Sequence, residues 1–384
     1  MAIASYHCPA CRRNIAADRP RWRCECGGPL EMEPGPGLSR HDIVAGAASL
    51  WRYTAALALQ HPPRVSLGEG WTPLVRREWN GAAIHFKLES QMPTGSFKDR
   101  GTAVMINHLI EVGVGPIHED SSGNAGSSIA TYAAAGGIPC RIYVPATAPR
   151  AKLVQIAACG AEVCAVPGTR QAVTEAALAE IGRSFYASHN WQPFFIEGTQ
   201  TLAFELWEQL GFRLPDNILV PTGYGSNILG LERGFAALER TGEIVGRPRL
   251  FAVQAANCAA FAAAWAAGAD GFVPFSASPT IADGIATTRP VRAVQVLRAL
   301  RRSGGGVVAV AEDEIAAALR GLGARGLFVE PTAATAGAAL TRLLRERVIG
   351  AGETTVAVLT GHGLKATEAI GETLNTGADR GARG

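Results

Sequence analysis

Along much of this chain, short apolar runs alternate with longer stretches in which apolar positions recur every three or four residues. The first kind reads as strand and the second as amphipathic helix. Ile84-His85-Phe86-Lys87-Leu88 predicts a strand, and from residue 97 onward the alternation is nearly unbroken. It predicts helix over 98–112, strand 117–121, helix 124–135, strand 141–145, helix 150–158, strand 162–166 and helix 171–183. A second series follows: helix 199–210, strand 217–221, helix 227–239, strand 250–254, and strands near 307–310 and 355–359. Strands separated by such helices predict parallel sheets covered on both faces. Two series predict two α/β units with a cleft, where ligands bind beyond the carboxyl ends of strands. Chemistry is therefore expected in the loops that follow strands. Ahead of these series, 49–60 reads as helix and Glu31-Met32-Glu33-Pro34-Gly35-Pro36-Gly37 as a linker.

Composition changes this picture mainly by exclusion. With 384 residues, 47% of them hydrophobic and 7% aromatic, the chain can bury a large core and divide into two or three units. A net charge of +3 argues neither for nucleic acid nor for an anionic membrane as partner. The first residues lack the apolar core of a signal peptide, and the Ala-rich run 258–269 is too short to span a bilayer. A soluble, cytoplasmic protein acting on a small molecule is expected.

The first four of the eight cysteines form a pattern: Cys8-x-x-Cys11, twelve residues, then Cys24-x-Cys26-Gly27-Gly28. Two tight knuckles joined by a hairpin-length segment bring four thiolates to one tetrahedral centre, which suits structural zinc. The alternative is a pair of disulfides, disfavoured where no secretory signal is present. The second knuckle is one residue shorter than the usual Cys-x-x-Cys. The single cysteines Cys140, Cys159, Cys164 and Cys258 fall in apolar patterns as packed thiols.

Lysine is scarce. Of the 36 Lys+Arg residues only Lys87, Lys98, Lys152 and Lys365 are lysines, and only a lysine amine can attack a carbonyl, since arginine stays charged. Lys87 lies in a strand pattern, Lys152 in mid-helix and Lys365 after a Gly-rich turn. Lys98, in Pro93-Thr94-Gly95-Ser96-Phe97-Lys98-Asp99-Arg100-Gly101, has a turn before it, a helix after it and an aromatic neighbour in Phe97. A positive helix end can lower its pKa. The alternative is a solvated basic residue in a first helical turn.

Three loops after strands are candidates for the remaining chemistry. In Ser121-Ser122-Gly123-Asn124-Ala125-Gly126 the glycines permit close backbone approach, and Asn124 either caps the helix or donates to a ligand oxygen. Pro221-Thr222-Gly223-Tyr224-Gly225-Ser226-Asn227 presents successive amides at a helix start, an anion cradle or simply a tight turn. It is not a Walker loop, because no Gly-Lys-Ser/Thr follows. In Leu359-Thr360-Gly361-His362-Gly363-Leu364-Lys365, Thr360 ends a strand with its hydroxyl expected in the cleft, while His362 reads equally as a turn residue. An amine, an anion cradle and a strand-end hydroxyl are together the parts needed to hold the aldehyde, phosphate and ring nitrogen of pyridoxal 5'-phosphate.

These segments resemble pyridoxal-phosphate enzymes of fold type II, the tryptophan synthase β-like type, and within them the threonine synthase family. The resemblance covers almost the whole chain. It implies an α/β protein of two parallel-sheet α/β domains with an N-terminal zinc-ribbon-like segment. Residues 1–38 form that segment, 39–101 with 190–384 the large cofactor-binding domain, and 102–189 the small one. It also implies that Lys98 is the catalytic lysine joined to the cofactor and Asn124 meets its ring oxygen. Phe97, Gly223, Tyr224, Gly225, Ser226 and Asn227 complete the cofactor site, with Thr360 at the pyridine nitrogen. Thr94, Ser122, Gly123, Asn124 and Ala125 would hold the amino-acid substrate, Cys8, Cys11, Cys24 and Cys26 a zinc ion, and the enzyme would be a homodimer. The implied reaction converts O-phosphohomoserine to threonine by elimination of phosphate and addition of water. Two departures favour a related β-eliminating or β-replacing enzyme of the serine/threonine ammonia-lyase kind, acting on an unphosphorylated amino acid. Phe195 stands where such synthases carry a phosphate-binding arginine, and Thr280-Ile281-Ala282-Asp283-Gly284-Ile285-Ala286 resembles the ammonia-lyase loop.

Overall fold

The computed structural model describes residues 4–381 and divides them into two compact units. The first holds the described residues up to Trp71 with Met92–Leu202 and Arg233–Glu243; the second holds Thr72–Gln91, Ala203–Glu232 and the described residues from Ile244. These units are drawn differently from the expected domains, because 39–71, 92–101, 190–202 and 233–243 all fall in the first.

The first unit begins with a three-stranded antiparallel sheet in the order β2-β1-β3, from Ser5–His7 (β1), Asn14–Ala16 (β2) and Glu31–Met32 (β3). Tyr6 of β1 is buried against Phe194 and its hydroxyl meets Nε2 of His108 at 3.2 Å, which fixes this small sheet to the helix Lys98–Glu111. The chain next contributes a hairpin to the second unit, Leu74–Trp79 (β4) and Ala82–Lys87 (β5). Its two-residue link, Asn80-Gly81, has positive φ at both positions (49° and 81°), the backbone twist that suits an antiparallel hairpin.

Ile117–Glu119 (β6), Cys140–Pro145 (β7), Glu162–Val166 (β8) and Phe185–Tyr186 (β9) form the first unit's main sheet, parallel throughout, in the order β8-β7-β6-β9. The predicted helices here appear as Lys98–Glu111, Asn124–Ala135, Arg150–Ala158 and Arg170–Ala179. Their apolar faces and the sheet bury Val104, Met105, Ile129, Tyr132, Ile142, Val144 and Ile156 as one core. The stretch expected as helix over 49–60 is instead the 3-10 turn Leu50–Ala56. The helix expected over 199–210 is two, Pro193–Thr199 and Thr201–Gln209.

The second unit's sheet has six strands, completed by Asn217–Pro221 (β10), Arg249–Ala255 (β11), Gly306–Val310 (β12) and Thr355–Val358 (β13), in the order β12-β11-β10-β13-β5-β4. It is parallel except for β4, so the expected parallel sheet is a mixed one with an antiparallel edge. The helix Pro331–Arg345 buries Ala333, Ala334, Ala336, Ala338 and Ala339, small residues that allow close helix-to-sheet approach. No helix among the described residues is long and apolar enough to cross a membrane.

Candidate active site

Lys98 opens the helix Lys98–Glu111, and the turn before it is locked by Asp99. Thr94 donates its backbone N–H (2.7 Å) and its hydroxyl (2.6 Å) to the two oxygens of that buried carboxylate, and Ser128 donates a third bond (2.7 Å). Gly95 supplies the turn's positive φ of 84°. The helix is also pressed against Pro193–Thr199: a Cβ on Gly198 would stand 1.9 Å from the Arg100 carbonyl oxygen, and one on Gly101 2.5 Å from the Phe195 ring. Glycine at both positions lets the two backbones cross in contact. The Lys98 amine lies 4.7 Å from the centre of the Phe97 ring and 5.8 Å from that of Phe195, and the residue as a whole is partly exposed.

Within electrostatic reach of this lysine, the carboxyl end of β6 carries two bonded carboxylates. Glu119 receives the backbone N–H of His189 (3.1 Å) and meets its Nδ1 (3.0 Å). Burial, followed by Asp120, holds the Glu119 carboxyl well above the usual carboxylate range. Burial, followed by the Lys98 and Arg170 charges, holds His189 well below the usual imidazole range. The two therefore favour an uncharged, hydrogen-bonded pair. Asp120 receives Tyr186 (2.7 Å), Thr174 (2.8 Å) and Arg170 (2.9 Å). The loop that follows turns tightly, because a Cβ on Gly126 would stand 1.9 Å from the Ser121 carbonyl oxygen. Gly123, not Asn124, occupies the cap position of the helix Asn124–Ala135 and makes no side-chain cap bond, so capping does not account for the asparagine.

In the second unit, the loop after β10 leads into the helix Ser226–Arg240. Gly225 has φ of 90°, and a Cβ there would stand 2.3 Å from Val296. Only glycine fits a backbone bent that sharply and packed that closely. Asn227, 3% exposed, buries both its amide nitrogen and oxygen without a partner. Past β13, Thr360 is 2% exposed and its hydroxyl is likewise buried without a partner. His362 Nδ1 accepts the backbone N–H of Leu364 (3.1 Å), so it serves the turn. Orphaned polar atoms beside a glycine-built helix start suit an anionic ligand with a heteroaromatic ring, and the donor set fits pyridoxal phosphate.

The structure thus places Thr94, Phe97, Lys98, Ser122, Gly123, Asn124 and Ala125 in the first unit, and Gly223, Tyr224, Gly225, Ser226, Asn227 and Thr360 in the second. The N-terminal cysteines do converge: the ligand atoms of Cys8, Cys11, Cys24 and Cys26 lie within 4.8 Å of one another, with sulfurs 3.5 Å apart for Cys8 and Cys26 and 3.6 Å for Cys11 and Cys24. Sequence reasoning passed over Asp99, Glu119 and His189. Asp99 lay inside the lysine motif and its spacing to Thr94 was available, whereas Glu119 and His189 are 70 residues apart with no motif to join them.

Lys87, a fully buried lysine, is excluded from carbonyl chemistry by its bonds. Its amine donates to the Thr72 carbonyl (2.6 Å), the Glu205 carboxylate and the Gln209 side chain (2.8 Å), and it is 0% exposed.

Residues 65–361 match the family described as pyridoxal-phosphate dependent enzyme. Threonine synthase of Methanocaldococcus jannaschii is 34% identical over 94% of this chain and 93% of its own length. Threonine synthase of Methanosarcina acetivorans is 31% identical over 95% and 93%. Among solved structures, a threonine deaminase from T.th. superposes with a TM-score of 0.65 at 26% identity, over 76% of this chain and 92% of that one.

Proposed function

The chain belongs to the threonine synthase family of pyridoxal-phosphate dependent enzymes, and we propose that it converts O-phosphohomoserine to threonine, eliminating the γ-phosphate and adding water at the β-carbon. The observation that carries this reading is the likeness to threonine synthases along nearly the whole chain. The orphaned Thr360 and Asn227 atoms support the cofactor part of it.

Pyridoxal phosphate, when bound, supplies an electron sink for bonds broken at the substrate's α-carbon. Lys98 would join the cofactor and, displaced by the substrate amine, move protons at the α-carbon. The amides of 223–227 would take the cofactor's phosphate, with Phe97 against the cofactor and Asn124 at its ring oxygen. Thr360 would face the ring nitrogen with a hydroxyl, which offers no negative charge to hold a proton there and so moderates the sink. Thr94 and residues 122–125 would hold the amino acid's carboxylate end. A structural zinc ion at Cys8, Cys11, Cys24 and Cys26 completes the proposal. Bonds of about 2.3 Å to a tetrahedral ion set sulfurs about 3.8 Å apart, close to the spacing of these thiols.

Phe195 favours a second reading. Its ring is fully buried over Gly101, where the resemblance implies an arginine for the substrate's phosphate. An enzyme of the ammonia-lyase kind, taking an unphosphorylated amino acid, needs no such clamp. Incubation with O-phosphohomoserine, serine and threonine, assaying phosphate, threonine and keto acid, separates the two. Phosphate release with threonine formation is expected; keto acid from the unphosphorylated substrates alone would replace the first reading by the second.

A further inference from the structure

The segment that resembles the ammonia-lyase loop, 280–286, has no role in the reading above, yet it is firmly anchored in the second unit. The Ile281 N–H donates to the Glu312 carboxylate (2.9 Å) and the Gly284 N–H to the Thr332 hydroxyl (3.0 Å). Directly after it, the Thr287 N–H turns back onto the Ile285 carbonyl oxygen (2.8 Å), and Thr287 is 5% exposed. This turn lies over the cradle. A Cβ on Gly223 would stand 3.1 Å from Thr287 Oγ1 and 3.1 Å from the Ile285 Cα, so a side chain at 223 would need these neighbours to give by a few tenths of an ångström. At the other end of the same loop, the Asn227 amide is buried with both polar atoms unpartnered.

We propose that Thr287 is a phosphate-binding residue, a hydroxyl that the 282–287 turn delivers over Gly223 to the anion held by the 223–227 amides. The proposal rests on the reading of pyridoxal phosphate as cofactor. A phosphate monoester presents three acceptor oxygens, and a helix start offers only donors that point along its axis. A hydroxyl arriving from a separate turn donates to the charged group from another direction, where a bond is stronger than a neutral one. Glycine at 223 then leaves the hydroxyl room to come close. On this proposal, the likeness of 280–286 to ammonia-lyases has an explanation in how the cofactor is held, separate from the choice of substrate.

The test uses the full-length protein, with Thr287→Val, which keeps the shape, Thr287→Ser, which keeps the hydroxyl, and Thr287→Ala in case valine disturbs folding. Each is titrated with pyridoxal phosphate by its visible absorbance, and the bound phosphate is followed by its 31P resonance. Thr287→Val and Thr287→Ala are expected to bind the cofactor about tenfold more weakly, with a displaced 31P resonance, and Thr287→Ser to behave like the parent. Parent affinity in the valine and alanine variants overturns the proposal, and so does weaker binding with an unmoved resonance, which would mean a structural role. A parent protein that takes up no pyridoxal phosphate sinks the cofactor reading itself, an outcome distinct from normal uptake by parent and variants alike.

Discussion

The carboxyl end of β6 in the first unit differs from those of β10 and β13 in the second. After β6 in the first unit every buried carboxylate is occupied: Glu119 by His189, and Asp120 by Tyr186, Thr174 and Arg170. After β10 and β13 in the second, the Asn227 amide and the Thr360 hydroxyl are buried with nothing to bond. An unmade bond of this kind costs about 1–3 kcal/mol, a cost that a bound ligand with a matching group would offset. Orphaned atoms also occur elsewhere, at His118 among others, so those of Asn227 and Thr360 bear on the cofactor through their place at the ends of β10 and β13. The two lysines differ in setting as well, Lys87 lying in the second unit and Lys98 in the first. Lys87 has an acceptor for each of its three N–H bonds, and Lys98 is set against two aromatic rings with part of its surface exposed.

The largest effect expected from this contrast is chemical. Lys98→Ala should lower turnover by at least about a thousandfold, since it removes both the covalent anchor and the proton carrier. Stability should stay within about 0.5 kcal/mol, because the side chain is partly exposed at a helix start. Steady-state product release and a thermal melt measure the two; retained turnover would break the distinction at its centre. Lys87→Met should do the reverse. Removing one partner of a buried ion pair leaves Glu205 uncompensated and costs about 3–5 kcal/mol by urea unfolding, while the folded protein still takes up the cofactor. Loss of cofactor binding at full stability in that variant would mean that Lys87, not Lys98, serves the site.

How much of this was legible in the sequence follows from how local each signal is. The helix and strand alternation from Lys98 to Val358 was readable because each element carries its own apolar period. The hairpin turn Asn80-Gly81 was equally local and still went unread, which is why the antiparallel edge strand β4 was missed. The lysine turn and the two glycine loops were readable as chemistry, since amines, amides and hydroxyls advertise their capacity. Whether a polar group is saturated was not readable. Asp99 and Thr360 look alike on paper, and only packing shows that one holds three bonds and the other none. The same limit hid Glu119 with His189, and the approach of Thr287 to Gly223, which join residues far apart in the chain.

The smallest effect is the sharpest test, because it has two signs. Valine has nearly the shape of threonine but no hydroxyl. If the Thr360 hydroxyl is an unsatisfied group kept for the ring nitrogen, Thr360→Val removes a penalty from the cofactor-free protein and should stabilise it by about 1 kcal/mol in urea unfolding. The same change removes a bond from the complex, so pyridoxal phosphate should bind about tenfold more weakly by absorbance titration. A structural hydroxyl cannot produce that pair of results: its loss would lower stability with or without cofactor. A variant that is less stable without cofactor would therefore place Thr360 with the saturated groups of the first unit, and the contrast would no longer locate the site.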